Sequence, residues 1–173
     1  MVFSDSGQIE PRITYSAYIR DDLIVRLITM YDDAYYGLLH FIQLSEEEER
    51  VRRSDLSKVV LHEVTEEMKE KRRRLKVLGL AGNYGSSNLA SIDPELGPLY
   101  EKKIVGHPAR RAWEAEVSAA VRGGAECFYG YFGTPVYPDN TPKDHRGDAG
   151  WSGHLIRCGI NNPVQTTAAE IMC

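Results

Sequence analysis

From Tyr18 to Gln43 the apolar residues return every three or four positions, at Ile24, Leu27, Ile28, Tyr31, Tyr35, Leu38, Leu39 and Ile42. That spacing lines them along one broad helical face and commits the front of the chain to burying it. Gly37 interrupts the stripe; a glycine there lowers helix propensity and either admits another backbone or marks a bend. Ser45 followed by Glu48 reads as a capping box, so the first helix stops near Leu44 and a second begins at Glu46. The second helix opens on four glutamates and closes on Lys71, Arg72, Arg73 and Arg74, the polarity that the helix dipole favours. Leu56, Val60, Val64 and Met68 recur along it as a narrow seam, joined by Leu61 and Leu75. The two segments are expected to pack as an antiparallel hairpin.

The pattern changes at Leu75. Leu75 to Gly82 reads as a short buried strand, Asn83 to Ser87 as a polar loop, and Asp93 to Pro108 as irregular connection broken by prolines and glycines. Pro108 suits the first turn of a helix that reaches Arg122 and stops at Gly123-Gly124. Ala125 to Phe132 is aromatic and weakly alternating, which favours a strand; Gly133 to Gly153 is nearly all turn formers. A last short strand is expected at His154 to Ile160, with a tail from Asn161 to Cys173. The expected fold class is therefore α+β: an N-terminal antiparallel helical hairpin arm, residues 1–74, followed by a small loop-rich mixed α/β region, residues 75–173. The length of 173 residues suits a single domain.

With 42% hydrophobic and 27% charged residues the chain can build a core, and a net charge of −4 creates no global attraction to nucleic acid. Cys127, Cys158 and Cys173 are odd in number and widely spaced, which favours reduced thiols over a secreted disulfide framework. The N-terminus lacks the basic and apolar regions of a signal peptide. No uncharged run reaches the roughly 18–20 residues that a membrane span needs. The expected location is cytoplasmic, or within a particle assembled inside the cell. Tyrosine is the compositional oddity, at 10 residues against 4 phenylalanines; it suits partly wet contact surfaces, or half-buried core positions with satisfied hydroxyls.

Two motifs carry a resemblance. Leu75-Lys-Val-Leu-Gly-Leu-Ala-Gly-Asn-Tyr-Gly-Ser-Ser-Asn88 resembles the first strand and phosphate loop of the NADPH-dependent FMN reductases, which have a flavodoxin-like fold. Gly133-Thr-Pro-Val-Tyr137 is similar to that family's second flavin loop. The resemblance implies FMN held by Ser86, Ser87 and Asn88, with Thr134 and Tyr137 at the second loop and the Tyr137 ring beside the isoalloxazine. Only 36 residues follow Tyr137, where that fold still requires two strands and their helices.

Other clusters are weaker. Asp139, Asp144, His145, Asp148, His154 and Cys158 are residue types that ligate zinc, but no motif frames them and solvated loop positions explain them better. No metal site is expected. The basic run Lys69 to Lys76 has glutamates interleaved and reads as a solvated helix surface rather than a phosphate-binding one. His40 and His62, in segments read as helical, are expected to be packed or solvent-facing imidazoles. No catalytic constellation is complete. The leading expectation is a non-enzymatic structural or interaction subunit of a larger assembly, such as a virion or phage particle component, without a cofactor and with other protein subunits or further copies of itself as partners. The alternative is a flavin-binding, NADPH-dependent oxidoreductase with FMN as cofactor; the further alternative is a nucleic-acid-associated protein.

Overall fold

A computed structural model describes residues 8–83, 85–138 and 147–173, with side chains from 152 onward in the last of these segments. Of the described residues 73% are helical, and their one sheet has two strands. The α+β expectation is thereby corrected to a largely all-α protein. The chain divides into two compact units, Met1–His107 and Pro108–Cys173.

In the first unit, α1 (Ile9–Ile13) continues into a π-helical turn, Thr14–Ile19, and stops at Arg20, whose φ of 57° is left-handed. The long stripe then forms two helices, α2 (Asp22–Met30) and α3 (Ala34–Gln43), instead of one. The break is built from hydrogen bonds. The Asp33 carboxylate accepts from Tyr35 N at 2.9 Å and starts α3. The Arg12 guanidinium donates to the carbonyls of Ile28 (2.8 Å), Tyr31 (3.2 Å) and Asp32 (2.9 Å), which the end of α2 leaves open. The chain folds back so that α2 and α3 pack on each other at Gly37, where an added Cβ would lie 2.5 Å from Ile28 Cα. Of the two sequence readings of that glycine, the close backbone approach is the one observed. Leu23, Ile24, Leu27, Ile28, Leu39 and Ile42 are fully buried around it.

The capping box forms as read: Glu48 N donates to Ser45 Oγ at 3.2 Å, and Ser45 N to Glu48 Oε2 at 2.9 Å. The long second helix does not follow. After α4 (Glu46–Ser54), Asp55 accepts from Ser57 N at 3.0 Å and opens a 3-10 turn, Leu56–Lys58. Residues 59–65 have no regular secondary structure, and α5 (Glu66–Asn83) starts behind Thr65, whose Oγ1 accepts from Met68 N at 3.2 Å. Ser54 and Asp55 compete with helical hydrogen bonds, and Val59, Val60, Val64 and Thr65 lose rotamer freedom in a helix. The expected seam therefore does not form; Val59 is buried, while Val60, Leu61 and Val64 are exposed. The hairpin arm is corrected accordingly.

Leu75 to Gly82 is the last part of α5 and not a strand. Leu75 and Leu78, three apart, are fully buried, whereas Val77 and Leu80 are exposed, so the burial period is helical. The glycine-serine loop is a helix stop: Gly85, at φ 84°, donates N–H to Gly82 O (3.2 Å), and Ser86 N donates to Ala81 O (3.0 Å). This is the Schellman pattern. Short helices α6 (Leu89–Ile92) and α7 (Leu96–Tyr100) follow, the latter running into a second π-helical turn, Glu101–Val105. Arg74 holds this region with bonds of 2.6 and 2.8 Å to Asp93, which also accepts from Glu95 N and Leu96 N. The Arg74 hydrogen bond brings the Asp93 carboxyl down to about 2.

In the second unit, α8 (Pro108–Arg122) begins and ends as read; Gly124 is left-handed at φ 82°, and Ala125 N reaches back to Ala120 O at 3.0 Å. The expected strand at Ala125–Phe132 shrinks to β1 (Phe128–Tyr129), antiparallel to β2 (Pro135–Val136), with Phe128 opposite Val136. The strand expected at His154–Ile160 and the tail behind it are corrected to one helix, α9 (Gly147–Met172). Its buried positions, Cys158, Gly159, Pro163, Val164, Thr167 and Ala168, recur as pairs every four to five residues. Pro163 cannot donate to the carbonyl of Gly159 one turn earlier. There the helix has no side chain, and Val117 and Phe128 press to 2.5 and 2.7 Å of where a Cβ would be.

Candidate functional site

Two places stand out, one in each unit. In the first, α3, α4, the segment 59–65 and α5 line an open pocket of about 300 Å³, formed by His40, Glu48, Arg52, His62, Glu67 and Lys71, with Gln43, Leu44 and Met68. His40 is buried on α3 because α3 carries the apolar stripe on nearly all sides. The non-helical run after Lys58 brings His62 onto it: the rings stack with centroids 4.0 Å apart and 20° between planes. His62 is thus not in a helix, contrary to its sequence reading.

Tyr31 ties the pair together. Its hydroxyl accepts from His62 N at 3.1 Å and lies 2.9 Å from His40 Nδ1. Burial, reinforced by His62 and Arg52, lowers His40 from its ordinary 6.5 to about 4, so the ring is neutral at physiological pH. His40 Nε2 and Arg52 Nε are buried and have no hydrogen-bond partner among the described residues. A buried donor in that state costs about 1–3 kcal/mol.

The His40 shift sets a pH dependence. The folded-state value lies below the unfolded one, so the unfolded chain takes up the proton first as pH falls. Stability is full above 6.5 and declines towards 4. By about pH 5 the expected loss is about 2 kcal/mol, read from urea unfolding at neutral and acid pH. In His40→Gln that slope should disappear; a native protein with flat stability over the interval would show that the ring is not buried neutral.

In the second unit, the hairpin from Cys127 to Pro138 holds no charged residue. Phe128 faces inward at 9% exposure, while Tyr129, Tyr131, Phe132 and Tyr137 are 63%, 57%, 62% and 67% exposed. The Tyr131 and Phe132 rings meet edge to face at 5.3 Å. The turn is closed by Gly130 N to Thr134 O at 3.0 Å, with Gly133 at φ 86°. It is fastened to α9, since Tyr131 N donates to Thr167 Oγ1 at 2.9 Å and Thr134 Oγ1 donates to Glu170. Tyr15, Tyr31 and Tyr100 are buried core residues, whereas the hairpin tyrosines are exposed.

The flavin candidates are divided between the two units. Ser86 and Ser87 follow the α5 stop; Asn88 caps α6, its Oδ1 accepting from Ser91 N at 3.2 Å. Thr134 and Tyr137 belong to the hairpin of the second unit. Helix α5 occupies the place of the strand that the phosphate loop would follow. Of the zinc candidates, Asp139, Asp144 and His145 lie outside the described residues, as does the Asp148 side chain; His154 Nε2 and Cys158 Sγ are 3.5 Å apart on α9. No group of three potential metal ligands converges among the described residues. The basic end of α5 is ion-paired: Arg72 with Asp33 (2.6 Å), Arg73 with Glu70, Arg74 with Asp93 and Glu95, and Lys71 with Glu67 and Glu95. Among the described residues no helix is long and apolar enough to cross a membrane.

Sequence reasoning named Tyr31, His40, Arg52 and His62 separately and missed that they meet. The two histidines are 22 positions apart, and no local pattern marks their meeting. Comparison with family models, curated proteins and solved structures returned no match.

Proposed function

We propose that the chain is a non-enzymatic interaction subunit of a larger protein assembly, docking through the aromatic hairpin of its second unit. The observation that carries this reading is four exposed aromatic rings on a stretch of twelve residues, Cys127 to Pro138, with no charge. Aromatic enrichment and charge depletion are the composition of an interface centre, and aromatic anchors contribute most of the binding energy there. The fastening of the turn to α9 by Thr167 and Glu170 supports the same reading, because a preordered loop loses less entropy on binding.

The test is a comparison of the full chain with a Tyr129→Ser/Phe132→Ser variant. Both side chains are largely exposed, so melting temperature should change little. Self-association, or association with a partner purified from the native source, should weaken by about thirtyfold or more in the variant, since hot-spot residues carry at least about 2 kcal/mol each. A chain that stays monomeric and unpartnered at micromolar concentration, or a variant that associates like the parent, would remove the proposal.

A further inference from the structure

The strand register of the second-unit hairpin sorts its side chains into two sides. Phe128 and Val136 are partners, and of these Phe128 is buried against Gly159 of α9 and Val136 is half-buried. The next pair, Tyr129 and Pro135, is exposed, and Tyr137 returns to the exposed side. The Tyr129 hydroxyl shares a hydrogen bond with the thiol of Cys127, two positions earlier. Tyr131 and Phe132 occupy the turn and are exposed as well.

The area left open is that of an interface. Four rings at 57% to 67% exposure, each of about 200 Å² in full, leave about 500 Å² uncovered. A single protein seldom carries a larger apolar patch. Doubled across a contact between two such patches it comes to about 1,000 Å², the size at which specific interfaces begin.

The groups on the patch are also complements of themselves. An aromatic ring has a negative face and a positive edge, so one ring receives another edge to face, as Tyr131 and Phe132 already do at 5.3 Å. A tyrosine hydroxyl both donates and accepts hydrogen bonds. No residue from Cys127 to Pro138 is charged, although 27% of the chain is, so two copies of the patch meet without like charges opposed. A partner selected by charge would find nothing there to recognise. The net charge of −4 lies outside the patch, and salt screens the resulting repulsion beyond about 8 Å.

We propose that the surface covering this hairpin is the same hairpin of a second copy of the chain, in a two-fold dimer that closes on itself. The inference rests on the docking role of the hairpin and names its partner. A two-fold contact uses the same patch on both copies, so assembly stops at two.

Sedimentation velocity of the full chain, from about 1 to 100 µM, should show a passage from monomer to dimer and no larger species. The dimer should persist at about 1 M salt, because no ion pair holds it. Tyr137→Glu and Tyr137→Lys each set like charges on the two copies of the patch. Tyr137 is 67% exposed, so both variants should melt like the parent, yet each alone should dimerise about tenfold or more weakly. Mixed in equal amounts, the two should dimerise with each other at close to the parent affinity, a rescue that only a contact between two copies of one patch produces. The inference is overturned if the chain stays monomeric throughout this range, if it grows into open-ended oligomers, or if the mixture associates no better than either variant alone. A monomeric chain whose hairpin binds a different protein would overturn the second copy as partner and leave the docking role standing. A Tyr129→Ser/Phe132→Ser variant that associates like the parent would remove both.

Discussion

Replacing Asp21 with alanine is expected to lower the unfolding free energy by about 3–5 kcal/mol. Asp21 caps α2, accepting from Ile24 N at 3.0 Å, and its carboxylate also takes a two-pronged bond from Arg53 (3.1 and 2.8 Å) and one from His107 Nε2 at 2.7 Å. One side chain therefore joins the start of α2, the end of α4 and the last residue of the unit. Burial alone pushes the Asp21 carboxyl up, but the bonds from His107, Arg53 and Ile24 outweigh it and hold it well below the usual carboxylate range. A depressed folded value means that this stabilisation is complete above the unfolded carboxyl value of about 3.9 and is lost as the pH falls through the folded one. The acid limb of the Asp21 contribution thus lies below that of His40, and urea unfolding at several pH values separates them. Asp21→Asn keeps the cap but not the charge, so it should fall between the parent and the alanine variant. A loss under about 1 kcal/mol for Asp21→Ala would mean that the three-way contact does not form.

Gly37→Ala is expected to destabilise by about 2–3 kcal/mol, although alanine is the better helix former by about 1 kcal/mol. An alanine Cβ would stand 2.5 Å from Ile28 Cα, 2.6 Å from Ile28 N and 2.7 Å from Leu27 C. All three are backbone atoms, so no side-chain rotation relieves the clash and α2 must move off α3. The fully buried Leu27, Ile28 and Leu39 lose contact with that movement. Thermal and chemical unfolding measure the sign: a stabilised Gly37→Ala would show that helix propensity governs this position and that the two backbones do not meet there.

Where the sequence reading succeeded, the determining forces are local. The Ser45–Glu48 box, the start at Pro108 and the stop at Gly123-Gly124 each depend on hydrogen bonds or steric limits within a few residues. Where it failed, local preference was ambiguous or weak. Leu75 to Gly82 is too short an apolar run for periodicity to separate strand from helix, and the outcome followed from burying Leu75 and Leu78 together. Helix α9 carries glycines and Pro163, and its buried positions are mostly small or polar, so neither propensity nor hydrophobic period announces it. The candidate sites were legible to different degrees. An excess of tyrosine left contact surface and half-buried core both open without saying which tyrosines would take either place, and the pocket had no signature because its histidines come from separate segments.

The amino-acid sequence by itself determined that an apolar helical stripe would form the core of the front half, and it marked several of the caps that bound the helices. Periodicity and capping act over one or two turns, and they hold whatever the rest of the chain does. Only the tertiary structure decided that the stripe folds on itself at Asp33, that the chain leaves the helix after Ser54 and lays His62 on His40, and that four aromatic rings of the hairpin stay outside. Each of these outcomes balances local preference against contacts between distant residues, such as Arg12 with the end of α2 or Tyr31 with His62. Those contacts exist only once the chain has closed, so no window of sequence contains them.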